Sequence, residues 1–75
     1  MITTGETGKM QRDKFERIMD HIVKSIDDAG YSAEEQLTAF VLTGDDYYIT
    51  RNGNAREWIE KLDIKQIKRY IKQNF

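Results

Sequence analysis

Apolar positions along the chain fall into helical registers separated by sharp local punctuation. From about Gln11, Phe15, Ile18, Met19, Ile22, Ile26 and Ala29 recur at spacings of three, four and seven, which lines them along one face of a first helix. Gly30 suits the left-handed position just past its end. Ser32 followed by Glu35 reads as a capping box, in which the hydroxyl accepts from the Glu35 amide; Leu37, Phe40 and Val41 then form the apolar stripe of a second helix. Gly44 stops it, and Asp45 and Asp46 favour a turn because short carboxylates bond local amides and compete with helix. Tyr47, Tyr48, Ile49 and Thr50 favour extended backbone, but with no second strand in view they predict a crossing segment rather than a sheet. Asn54 with Glu57 repeats the capping logic for a third helix that buries Ala55, Trp58, Ile59 and Leu62. Asp63 with Gln66 opens a fourth, with Ile64, Ile67, Tyr70 and Ile71 inward and Lys65, Lys68, Arg69 and Lys72 outward.

The expected fold is therefore all-α, four short helices in one compact domain over residues 11–75. Residues 1–10, MITTGETGKM, offer only Met1, Ile2 and Met10 as sizeable apolar groups and read as a mobile tail. At 75 residues the chain buries only about 60% of the surface its unfolded form exposes. With no cysteine it has neither a disulfide framework nor a thiolate metal site. Self-association is then the available route to more buried apolar surface, so a homodimer is expected. No signal-like segment and no run near the roughly 20 apolar residues of a membrane span is present, which points to a cytoplasmic protein without membrane insertion.

Net charge is -1, which argues against a general polyanion binder, although the charges are unevenly placed. Residues 31–50 hold Glu34, Glu35, Asp45 and Asp46 and no base; residues 51–75 hold seven basic side chains against Glu57, Glu60 and Asp63. Complementary solvated faces, or subunits meeting head to tail, are the plainer reading, and a docking surface for an anionic partner the sharper one. A stripe of Lys65, Lys68, Arg69 and Lys72 on the last helix could follow a phosphate backbone, making a small nucleic-acid-binding module the alternative reading. A helix-turn-helix, however, needs a turn of three or four residues, whereas about ten separate the second and third helices and barely one separates the third and fourth.

Chemistry finds little foothold. His21 is the sole histidine and lacks the spacing of a helical metal site; Asp45 and Asp46 lack the alternating ligands and closing glutamate of a calcium loop. Ser25 and Ser32 have no base placed by a motif. No catalysis, cofactor or metal is expected. Asp45, Asp46, Tyr47, Tyr48 and Trp58 are instead the expected dimer seam or partner surface, since large aromatics anchor interfaces as well as cores. Thr3, Thr4 and Thr7 stand on glycine-bearing backbone that a kinase groove could accept, each phosphate adding about -1.5 to -2 charges.

Gly30-Tyr31, Gln36-Leu37, Val41-Leu42, Gly44-Asp45, Tyr48-Ile49 and Asn54-Ala55-Arg56, with Ile59 and a terminal Ile/Tyr-rich helix, together resemble the IreB family of small regulatory phosphoproteins of Gram-positive bacteria. The resemblance covers about residues 14 to 72. It implies a non-catalytic all-helical homodimer, modified on amino-terminal threonines by a membrane Ser/Thr kinase and reversed by a matching phosphatase. It further implies action, through a downstream protein, in envelope stress and cephalosporin resistance. Thr4, Glu6 and Thr7 match the spacing of the family's modified threonines, so Thr4 and Thr7 are the implied sites. The chain departs from the pattern at Asp46 and Thr50, where the family favours proline, and at Gly8-Lys9-Met10, which loosely replaces a basic-aromatic step.

Overall fold

A computed structural model describes the backbone of residues 2–75 and the side chains of residues 14–75. Four helices follow in order: α1 Ile2–Asp28, α2 Ala33–Thr43, α3 Ala55–Ile59 and α4 Ile64–Asn74. Single 3-10 turns at Asp46–Tyr48 and Asn52–Asn54 interrupt the crossing between α2 and α3, and no strand occurs among the described residues. The all-helical expectation holds.

Local chemistry accounts for most helix ends. At the end of α1 the Tyr31 amide donates to the Ile26 carbonyl at 3.1 Å and the Gly30 amide to the Asp27 carbonyl at 2.9 Å, with Gly30 at φ 88. These are the paired bonds of a Schellman motif, which only a residue free to adopt positive φ accepts without strain. Ser32 Oγ accepts from the Glu35 amide at 3.2 Å, and Asp63 Oδ1 accepts from the Lys65 amide at 3.0 Å, capping α2 and α4. Asn54 is different. It takes φ 59 and makes no side-chain cap bond, so α3 starts from a left-handed turn and not from the expected cap. Asn tolerates that conformation better than most non-glycine residues.

α1 begins at Ile2, well before the expected start near Gln11. The intervening segment holds no proline, and Gly5 and Gly8 cost about 1 kcal/mol each in a helix that later residues have already nucleated. The mobility expected of residues 1–10, and the Thr4 and Thr7 side chains, lie outside the described residues. α3 is shorter than its apolar pattern suggests. Beyond Ile59 the chain tightens, the Lys61 amide bonding the Trp58 carbonyl and the Leu62 amide the Ile59 carbonyl, both at 3.1 Å and both three residues back.

The core collects Met19, Ile22 and Ile26 from α1, Ala33, Leu37 and Phe40 from α2, Ile49 from the crossing, Ala55 and Ile59 from α3, and Ile67 from α4. Phe15, Ile18, Val41, Leu62, Tyr70 and Ile71 pack around it in part. Three positions depart from the sequence pattern: Ala29 is exposed beside Gly30, Ile64 lies at the open edge of α4, and Trp58 stays 38% exposed. α1 receives α3 and the Asn52–Asn54 turn on one side and α2 on another, while α4 closes over α2.

Candidate interaction site

The segment between α2 and α3 is built by short-range bonds that leave its aromatic side chains outward. Gly44, at φ 73, ends α2 by donating its amide to the Phe40 carbonyl at 2.7 Å. Thr43 Oγ1 donates to the Ala39 carbonyl at 2.7 Å and accepts from the Asp45 amide at 3.1 Å. Asp45 Oδ1 then accepts from the Tyr47 amide at 2.9 Å, opening the 3-10 turn. This is the turn-forming role expected of the Gly-Asp pair, and the Asp45 carboxylate is committed to it. Among the described residues no group of His, Asp and Glu is arranged to hold a metal ion.

Three further bonds tie the segment to the helices. Gln36 Oε1, on α2, accepts from the Thr50 amide at 2.9 Å. Arg56, on α3, donates through Nε to the Ile49 carbonyl at 3.0 Å and through Nη2 to the Tyr47 carbonyl at 3.3 Å. Its guanidinium also stands 5.8 Å from the Tyr47 ring centre. Held by these ties, Ile49 is buried while Tyr47 and Tyr48 stand 74% and 46% exposed, edge to face at 6.2 Å. Two outward tyrosines on a fixed backbone lose little conformational freedom when covered, as an interface anchor requires. Beside them an open groove of about 360 Å³ has Phe40, Ile59 and Leu62 along it and Asp45, Asp46 and Glu60 at its acidic margin.

The structure divides the expected surface in two. Asp45, Asp46, Tyr47 and Tyr48 are contiguous; Trp58 belongs to a different face. Its ring meets His21 of α1 edge-on at 6.3 Å, and Lys61 Nζ lies 5.3 Å from its centre. Lys14, Arg17, Ile18 and Trp58 line a depression of about 450 Å³ there. Periodicity marks Trp58 as apolar and inward, yet an indole paired with a helix surface retains a wet edge.

His21 has a structural task. Its Nε2 lies 2.7 Å from the Gly53 carbonyl, and since a carbonyl only accepts, Nε2 carries the proton. One turn on, Ser25 Oγ donates to the His21 carbonyl at 2.7 Å, and Asn52 Nδ2 donates to the Ser25 carbonyl at 2.8 Å. Together they seat the Asn52–Asn54 turn on α1. Nothing in the sequence pattern singled out Arg56, Gln36 or Gly53 for these ties, although the NGN tripeptide between two helices signals positive φ.

Lys65, Lys68, Arg69 and Lys72 are all exposed along α4, and none is in an ion pair among the described residues. On the inner side of the same helix Tyr70 meets Phe15 and Phe75 edge-on at 6.3 Å each. Burial, with Asp20 and then Glu16 nearby, raises the Tyr70 phenol above its usual pKa. Among the described residues no helix is long and apolar enough to cross a membrane.

Comparison with protein families matches residues 3–74 to the model of the IreB regulatory phosphoproteins. No solved structure matches the chain.

Proposed function

Because this chain belongs to the IreB regulatory phosphoprotein family, we propose that it is a non-catalytic switch set by phosphorylation of Thr4 and Thr7 by a membrane Ser/Thr kinase and reset by a matching phosphatase. The supporting observation is the extent of the family match, which starts at residue 3 and so includes the threonine-bearing segment along with the helical body. Each phosphate adds about -1.5 to -2 charges to a chain whose net charge is -1, enough to change which surfaces it attracts. The output surface is Asp45, Asp46, Tyr47 and Tyr48, whose exposed aromatic pair and acidic groove suit either a second copy of the chain or a downstream protein. The switch acts in the cytoplasm as a homodimer, in control of envelope stress or cephalosporin resistance.

Intact-mass and fragment analysis of the protein purified from its own cells, before and after cell-wall challenge, tests this reading. One or two added phosphates on Thr4 and Thr7, changing in occupancy with the challenge, are expected. A chain that stays unmodified throughout would overturn it.

A further inference from the structure

The face around Trp58 contributes nothing to the output surface, and its composition points to a ligand. Lys14 and Arg17 from α1 and Trp58 from α3 line one depression, Lys61 stands over the indole, and His21 closes its edge. Three basic side chains therefore converge on one half-exposed aromatic, and none of the three is in an ion pair among the described residues. Glu57, adjacent in sequence to Trp58, lines a separate groove with Arg51, Asn54 and Arg56. Cations outside any ion pair among the described residues, beside a flat apolar ring, fit a multiply charged anion carried on a short peptide.

We propose that this cluster is the docking site for phosphothreonine 7 of the chain's own amino-terminal segment. The proposal rests on the phosphorylation reading above and specifies where the phosphate goes. Reach supports it: seven residues separate Thr7 from Lys14, up to about 24 Å of chain once unwound. Along an unbroken helix Thr7 starts about 10 Å from Lys14. The intervening turns contain Gly8, and Thr3, Thr4 and Gly5 precede it, so this end of α1 has the least intrinsic helicity and can turn back at small cost. A phosphate delivered to Arg17 and Lys61 then places the backbone of the segment against the Trp58 ring.

Trp58 is the chain's single tryptophan, so its emission reports on the site directly. The full-length protein is titrated with a synthetic peptide of residues 2–12, phosphorylated at Thr7 or unmodified, and with inorganic phosphate. The phosphopeptide should change Trp58 emission saturably, bind roughly tenfold or more tightly than the unmodified peptide, and weaken roughly tenfold in Arg17→Gln or Lys61→Gln, each removing one charge-assisted contact. Both positions are exposed, and unchanged helical circular dichroism identifies variants that fold. Equal binding of the two peptides, an equal response to inorganic phosphate, or phosphopeptide binding indifferent to both substitutions would overturn the site. The titration needs no kinase. Should protein from cells lack phosphate while the phosphopeptide binds as described, the phosphorylation reading falls and the binding site stands.

Discussion

Ser25 occupies the space that a side chain on Gly53 would need. A β-carbon built on Gly53 would stand 3.1 Å from Ser25 Cβ and in still closer conflict with Ser25 Oγ, and the backbone there has φ 60. Glycine is required at this position on both counts. Gly53→Ala should destabilise the fold by about 2–4 kcal/mol, combining positive-φ strain with displacement of the turn from α1. Ser25→Ala removes the nearest obstacle, so the double variant should lose less than the sum of the single losses. Urea unfolding of the four proteins measures the coupling, and strict additivity would show that the clash is not felt.

Gln36 and Thr50 connect α2 to the crossing segment through one bond to a half-buried amide. Gln36→Leu keeps the side chain's bulk and removes its acceptor. The Thr50 amide is then left without its partner, at a cost of about 1–3 kcal/mol. Gln36→Glu retains an acceptor and should cost less. Amide exchange at Thr50 resolves the mechanism: protection should collapse in the leucine variant and persist in the glutamate one.

How much of this was legible in sequence depends on how far each residue reaches. Gly30, Ser32, Gly44 and Asp63 act on neighbours within five residues, so the helix boundaries they set follow from local chemistry alone. The Asn52–Asn54 turn is signalled locally by its NGN run, but its seat on α1 is not, because the bonds that hold it there come from His21 and Ser25 far back in the chain. Ile49 illustrates the same limit: the Tyr-Tyr-Ile run gives no local reason for the first two to face out and the third in. Contacts from Gln36 and Arg56 decide it. Tyr47 and Tyr48 were readable as a candidate surface because exposed aromatics beside paired aspartates are conspicuous, whereas Trp58 was grouped with them although α3 directs it toward α1.

Arg56 determines how the tyrosine pair is presented, since it holds two carbonyls of their segment and covers the Tyr47 ring. Arg56→Lys preserves charge but cannot supply the forked donors. In the proposed dimer it should weaken self-association about as much as Arg56→Ala. Tyr47→Ala should weaken association at least as strongly while leaving stability within about 0.5 kcal/mol, because the ring is exposed. Sedimentation at micromolar concentration, set beside thermal unfolding, separates the two effects. A wild-type chain that sediments only as the 8.8 kDa species would remove the dimer from the proposed function.

Tyr70 makes the fold sensitive to alkali. Its phenol is neutral when protonated, and burial followed by the charges of Asp20 and Glu16 raises its pKa in the folded chain above the ordinary value of 10.0. The folded state thus holds this proton at pH values where the unfolded state has released it, and stability must fall as pH rises through that interval. The contribution is fully present below pH 10 and lost above it. Tyr70→Phe keeps the ring contacts with Phe15 and Phe75 and removes the ionisation. Its unfolding midpoint should match that of the parent near neutrality and exceed it progressively above pH 10. Parallel curves for the two proteins across that range would show that the phenol titrates alike in both states.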